Sequence, residues 1–324
     1  AVTLLIDSFG QGLGRVLMSD EDRTGLKREF DILRAAGGVV QFYAPQRWAA
    51  RLLGGGHHIK IQVSDTGEAI YGSGNITKSS FAGWNEYSVA LRGPVVLTLL
   101  ESLEALSVHV EPQHKAHLKS LAARDTADHR LDYWFFNPGE AQGWLGPLVW
   151  RGRNPLTERM IAAIDAANDT LSITSFYFKP TRRLMKAVVK AAKRGVRVEV
   201  FHSHREALPS TDLAWIAAAA GFGRLLKAGV TIYENLHGEH SKIVLIDDKW
   251  VAFGSYNFED AAHDRLAESM LVSSDERALR PARAIFAELR ADADNLPVRK
   301  TWFRELPLAQ RLRILRYARF KRWL

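Results

Sequence analysis

His58 and Lys60 stand two residues apart and are followed by Asp65, Gly72, Ser73, Asn75 and Glu86. His240, Lys242, Asp247, Gly254, Ser255, Asn257 and Glu268 repeat those residue types in the same order, each 182 residues further on. One H-x-K-x4-D pattern has three fixed positions and means little. Seven positions kept in register mark an internal repeat. The chain therefore divides into two equivalent halves, each with one copy of the same side-chain set.

These residue types suit a phosphodiester. The ammonium groups of Lys60 and Lys242 and the amides of Asn75 and Asn257 offset charge on the non-bridging oxygens, which grows in the transition state. Ser73 and Ser255 lie in Gly-Ser turns that bring hydroxyl and amide toward the His–Lys pair. One imidazole attacks phosphorus to form a covalent phosphohistidine. The other protonates the departing oxygen and then deprotonates the incoming water or alcohol. Glu86 and Glu268 are placed to accept an imidazole N–H and fix the tautomer. The lysines already supply positive charge, so no metal or other cofactor is expected; a zinc or magnesium site would want more Asp, Glu or His as direct ligands. Asp65 and Asp247 fall an odd number of residues after their lysines, point away from the site and read as structural.

The elements that must position these groups follow from periodicity. Residues two apart on a strand share a face, so a strand over residues 58–63 projects His58 and Lys60 together, and its counterpart does the same for His240 and Lys242. In the first half, strands are expected at 2–6, 39–43 and 87–91, helices at 21–36 and 95–106, and a loop at 44–56. The second half gives helices at 156–167, 181–194, 212–228 and 281–293 and strands at 171–178, 196–201, 230–234 and 268–272. This alternation predicts an α/β fold of two halves about a pseudo-two-fold axis, with the active site at their interface. The expected organisation is residues 1–110 as the first half, 111–154 as a connector over the surface, 155–298 as the second half and 299–324 as a tail. A helix and a strand precede residues 196–201 but have no equivalent before residues 2–6. The comparison predicts that the chain lacks roughly 40 to 60 residues of a longer precursor, the length of one helix–strand–helix unit.

Composition narrows the class. With 324 residues, 47% hydrophobic and 25% charged, the chain has the make-up of an ordinary globular protein. It holds no cysteine, which excludes thiolate catalysis, disulfides and Cys-bound zinc. No apolar run reaches the roughly 18 residues of a membrane span. The net charge is +8, and residues 299–324, from Arg299-Lys300 to Trp323-Leu324, hold nine basic residues against Glu305 alone. The remaining 35 basic and 35 acidic residues cancel. Basic and aromatic residues mixed in this way, with Trp302, Phe303, Phe320 and Trp323, predict a segment lying on an anionic membrane surface, the alternatives being a solvated charged end or a tail docked on its own domain. Its apolar positions do not form one clean stripe in the sequence.

The repeated pattern resembles that of the phospholipase D superfamily over nearly the whole chain. The resemblance implies the bilobed fold, the phosphohistidine intermediate and independence from divalent metal. Within the superfamily the chain is most similar to bacterial cardiolipin synthases and their phosphatidyltransferase relatives. Asp7 after the apolar run resembles their strand ending in an acidic residue and Gly, and the run Phe176 to Pro180 resembles their P-Y-F-x-P segment with Phe176 in place of Pro. Ile59 stands where many synthases have Arg. The basic tail is similar to that of enterobacterial phosphatidylserine synthase. The implied function is transfer of a phosphatidyl group from one glycerophospholipid to an alcohol, with phospholipase D hydrolysis when water intercepts the intermediate. By analogy His58 is the nucleophile and His240 the general acid and base, although the near symmetry allows the reverse. The implied place is peripheral to the membrane, on the cytoplasmic face of a bacterial inner membrane. The alternatives are a phosphatidylserine synthase, an endonuclease using the same reacting centre, and a silent membrane scaffold, which two complete motifs disfavour. A nuclease would spread positive charge over its body rather than confine it to a tail, so nucleic acid is not the expected partner. Of the other histidines, His57 reads as a neighbour of the site, and His202, His204, His237 and His263 as packing or surface residues. Trp48, Leu52 and Leu53, just ahead of the first motif, read either as an acyl-chain entrance or as a short packed helix.

Overall fold

The fold is seen in a computed structural model that describes residues 2–125, 129–150, 152–208 and 212–323. Ala1 and Leu324, which bound the expected first half and tail, lie outside the described residues. The first half runs β1 (Thr3–Asp7), α1 (Ser8–Leu17), α2 (Asp20–Ala35), β2 (Val39–Tyr43), α3 (Trp48–Leu52), β3 (Gly56–His57), β4 (Ile61–Val63), β5 (Glu68–Gly72), α4 (Lys78–Ala82), β6 (Ser88–Arg92) and α5 (Pro94–Ala105). The middle stretch holds α6 (Pro112–Ala122), β7 (Asp132–Phe136), α7 (Pro138–Ala141) and a 3-10 turn (Gly146–Leu148). The second half runs α8 (Pro155–Ala166), β8 (Thr170–Thr174), α9 (Arg182–Lys193), β9 (Arg197–Ser203), α10 (Leu213–Ala228), β10 (Thr231–Asn235), β11 (Ile243–Ile246), β12 (Trp250–Gly254), α11 (Asp260–Asp264), β13 (Leu266–Ser273), α12 (Glu276–Ala291) and β14 (Asn295–Pro297). The tail forms α13 (Trp302–Glu305), α14 (Leu308–Tyr317) and a 3-10 stretch (Ala318–Trp323).

Local chemistry sets the helix ends. Asn154 accepts from the amides of Leu156 and Thr157 while Pro155 takes the first helical position of α8. Thr181 caps α9, and Gly229, at φ 94°, ends α10 in the left-handed conformation that glycine adopts without strain.

Nine strands among the described residues form the main sheet, in the order β14-β10-β9-β8-β11-β12-β13-β3, with β7 also paired to β13. β8, β9 and β10 run parallel, whereas β11, β12 and β13 form an antiparallel ladder. The sheet is covered on both faces, so β11 is buried from end to end and carries an unbroken apolar run. Val244 and Ile246 join Leu171, Ile173 and Val200 against α8, α9 and α10. Ile243 and Leu245 face the other way, onto Leu279, Ala282, Phe286 and Leu289 of α12.

The first half repeats these parts as separate sheets, a parallel pair β1-β2 and an antiparallel ladder β4-β5-β6. Among the described residues no strand takes the place between them that β8 holds between β9 and β11. Leu4, Leu5 and Ile6 of β1 are accordingly only half-buried. By register the corresponding side chains of β9 are Val200, Phe201 and His202, which are 0%, 0% and 1% exposed.

Several stretches differ from the sequence expectation: helix α1 was not expected, and the strand expected at 171–178 ends at Thr174. The loop expected at 44–56 contains α3, whose five residues are too few to show a periodicity. Residues 111–154, expected to connect over the surface, instead place β7 antiparallel to β13. His58 and Lys60 lie between β3 and β4 rather than on a strand, and His240 and Lys242 lie just before β11. In both copies the chain leaves the ladder where the reactive side chains begin.

Candidate active site

Each half supplies the strand that orients the other half's histidine. β3 runs parallel to β13, pairing Ala267 with His57, and the His58 amide donates to the Ala267 carbonyl at 2.9 Å. The equivalent bridge pairs Asn85 with Glu239, and the His240 amide donates to the Asn85 carbonyl at 3.1 Å. Asn85 and Ala267 are 182 residues apart, as are His57 and Glu239. The repeat therefore extends to the register of these cross-half pairings, which is the signature of a pseudo-two-fold site.

These pairings deliver the carboxylates. His240 Nδ1 lies 2.6 Å from Glu86 Oε1, and His58 Nδ1 lies 3.2 Å from Glu268 Oε1 and 3.0 Å from the Ser255 carbonyl. Ser73 Oγ donates to the second oxygen of Glu86 at 2.5 Å, and Ser255 Oγ donates to the second oxygen of Glu268. Each serine thus orients the carboxylate rather than facing the reaction directly. Lys60 Nζ donates to the His58 carbonyl at 2.6 Å, and Lys242 Nζ to the His240 carbonyl. The two imidazoles meet edge to face with centroids 6.5 Å apart, close enough to serve one phosphorus. Asn75 and Asn257 lie just past the serine turns. Asn257 is buried beside Glu259, and its side-chain amide donates to that carboxylate at 3.3 Å.

Burial dominates the electrostatics. It holds the His58 imidazole well below its ordinary range, with Lys60 and Lys242 adding to the effect. Burial and Lys242 lower His240 in the same way, against the opposing pull of Glu86. Lys60 is lowered well below a normal ammonium by burial and by Lys242, and Lys242 is brought to about 8 chiefly by burial. The carboxylates diverge. For Glu86, burial pushes upward but the hydrogen bond and charge of His240, with Ser73 and Lys242, prevail and bring it to about 2. The deeper Glu268 is raised well above the usual range by burial, against the attraction of Lys60. Among the described residues no group of three or more His, Asp or Glu is arranged to hold a metal ion; the positive charge at the site is that of the lysines.

Sequence reasoning missed several groups around the site. Trp84 stacks on His240 at 4.8 Å, and Phe176 meets the same ring edge-on at 4.5 Å, so the P-Y-F-x-P-like segment walls the second histidine. Ser80 Oγ donates to Glu86 Oε1 at 2.7 Å. Lys179 and Glu259 form a buried ion pair at 3.1 Å. The repeat could not reveal Trp84, because the residue 182 positions on is Leu266.

The remaining residues singled out in the sequence are placed as follows. Asp247 accepts from the amides of Asn168, Asp169 and Thr170 at 2.8–3.2 Å and so ties the start of β8. Asp65 is exposed and accepts from Ser64. Asp7 takes the amides of His57 at 3.0 Å and Gly10 at 2.5 Å, fixing the backbone that leads into the first motif. His57 packs edge-on against Tyr43, His237 pairs with Asp294 and His263 with Thr157. His202 is buried against Phe222, and His204 accepts from the Glu206 amide.

Residues 160–290 match the family described as "Cardiolipin synthase, PLD-like domain". Cardiolipin synthase B of Shigella flexneri and of Escherichia coli (strain K12) are each 27% identical to the chain over 311 residues, covering 89% of it and 71% of their own length. The crystal structure of phosphatidylserine synthase from Haemophilus influenzae Rd KW20 superposes with a TM-score of 0.61 at 15% identity, covering 87% of this chain and 73% of that one. Residues 160–290 thus match the PLD-like domain of the cardiolipin synthase family, and most of the chain is similar in sequence to cardiolipin synthases.

Proposed function

We propose that this protein is a phosphatidyltransferase of the cardiolipin synthase kind, working on glycerophospholipid through a phosphohistidine. The observation that carries the reading is the pair of crossed Glu–His contacts beside the half-buried Lys60 and the buried Lys242. The His58 side chain keeps 21% of its surface exposed against 4% for His240, which favours His58 as the nucleophile. His240 lies against an ionised Glu86 and is better supported as an imidazolium, as a general acid requires. The anionic phosphodiester, entering between the lysines, raises the affinity of His240 for a proton. His58 Nε2 then bonds to phosphorus, the bond to the leaving oxygen breaks, and His240 Nε2 gives that oxygen its proton. In the second half-reaction an incoming alcohol gives its proton to His240, its oxygen bonds to phosphorus, and the phosphorus–nitrogen bond breaks. Water in place of the alcohol yields hydrolysis.

No helix of the described residues is long and apolar enough to cross a membrane. The proposed location is the membrane surface, reached through the basic and aromatic residues of 299–324, and the resemblance alone argues for its cytoplasmic face. Incubation with phosphatidylglycerol vesicles should yield cardiolipin or phosphatidic acid, with plasmid DNA left intact. Nicked DNA and unchanged lipid would transfer the assignment to the nucleases. His58→Ala and His240→Ala should each abolish turnover while keeping the native circular dichroism, and full activity in either removes the shared site.

A further inference from the structure

A second exposed apolar surface lies where α3 meets the 3-10 turn. Trp48 and Leu52 of α3 are 50% and 73% exposed, and Trp144, Leu148 and Val149 around the 3-10 turn are 67%, 47% and 57% exposed. The two indoles meet edge to face at 6.0 Å, so this is one patch built from two distant segments. It is held in shape: Gly146, at φ 51°, brings its turn so near α3 that an added Cβ would lie 2.9 Å from the Ala50 backbone. Behind the exposed side chains, Ala49 and Ala50 are each 1% exposed. The tryptophans therefore stand outward on a rigid base.

We propose that this face inserts into the interfacial layer of an anionic phospholipid membrane and holds the mouth of the active site against it. Indole rings with an apolar body and a polar N–H favour that layer, and Arg47 just before α3 and Arg51 on it are exposed. Charge selects lipid over a second copy of the chain. A two-fold dimer would set the patch against itself and bring Arg47 and Arg51 against their own kind, whereas anionic headgroups complement them. The face is also continuous with the tail, because the Arg322 guanidinium donates to the Pro147 carbonyl at 2.8 Å and bridges to Asp264. From Leu52 the chain passes through Leu53 and the glycines 54–56 to His57 and His58, so the segment that carries half of the patch leads within six residues to one reacting imidazole. The lipid reading of the site supports the choice of occupant, but the test below does not depend on turnover.

The full chain is mixed with vesicles of phosphatidylcholine containing phosphatidylglycerol, and bound protein is measured by flotation. The double variant Trp48→Ser/Trp144→Ser should bind about tenfold or more weakly. The loss should persist at about 0.5 M salt, where screening removes most of the arginine contribution. Tryptophan fluorescence of the wild type should be quenched by phospholipid brominated near the headgroup end of its acyl chains, and that quenching should fall in the variant. A second pair, Leu52→Ser/Val149→Ser, repeats the test without touching an aromatic residue. Wild-type binding by both variants overturns the proposal, as does absence of quenching in the wild type. A wild-type dimer that both variants dissociate would also overturn it, assigning the face to a second copy. Because binding is read without catalysis, a chain that transfers no lipid group would refute the proposed function and leave this test standing.

Discussion

Glu86 and Glu268 hold equivalent places in the repeat, yet their surroundings push them in opposite directions. Glu86 touches a single imidazole at 2.6 Å and is brought to about 2. Glu268 is held deeper, where burial raises it well above the usual range. The pair is thus symmetric in position but set in opposing electrostatic surroundings, which lets two identical motifs take different roles in one reaction. A pH dependence follows from the imidazoles. Both are lowered well below 6.5, and the reaction needs one neutral and one protonated. As pH falls below both values the nucleophile is lost, and as pH rises above both the acid is lost. The free-enzyme profile of kcat/KM should therefore peak below pH 6.5 and be falling by neutrality. It should drop again past about pH 8, where Lys242 gives up its proton. A profile that climbs to a maximum at or above pH 7.5 would contradict this account of the pair.

At the scale of elements, the two motif aspartates make a direct comparison. Asp247, at φ 52°, gathers three successive amides and so ties the β11–β12 turn to the start of β8 in the centre of the main sheet. Asp65 is exposed and has no β8-like strand beside it among the described residues. Asp247→Ala should destabilise by about 1–3 kcal/mol through the amides it leaves unpaired, whereas Asp65→Ala should stay within about 0.5 kcal/mol. Thermal melts of both variants check this, and equal shifts would refute the distinction. The same elements show what the sequence could carry. The paired residue set was legible from the repeat, and the alternating order of the second half from its periodicity. The crossing of Glu86 to His240 and Glu268 to His58 was not, since spacing along a chain does not say which half a carboxylate faces. Nor was β7, whose partner β13 lies more than a hundred residues away in a pairing that no local pattern announces. Trp84 escaped because it belongs to one half only.

At the scale of the whole molecule, the tail sorts its apolar residues into two sets that its sequence leaves mixed. Ile314 is 3% exposed, and Trp302, Phe303, Leu306 and Tyr317 pack against the main core, with Trp302 edge-on to Phe222 at 5.2 Å. The Arg313 guanidinium spans Asp212 at 2.7 and 2.8 Å, and Arg205 donates to Gln310 at 2.6 Å, so polar contacts fix the same docked face. Leu308, Leu312 and Leu315 are 68%, 57% and 61% exposed and follow one another at helical spacing on the outer side of α14. The tail is thus both part of the second half's core and an outward stripe, and deleting it would confuse the two roles. Removal of residues 299–324 should lower thermal stability because it uncovers Phe222 and the groups packed around it. Vesicle binding lost in that deletion would therefore say little about the membrane. The triple change Leu308→Ser/Leu312→Ser/Leu315→Ser separates the roles, since none of these side chains contributes to the buried core. Its melting temperature should match the wild type while its affinity for vesicles containing phosphatidylglycerol falls severalfold, with Arg304, Arg311 and Arg316 still present for electrostatic attraction. If the triple variant binds such vesicles as the wild type does, the outward stripe is not part of the membrane contact, and the tail serves the fold alone.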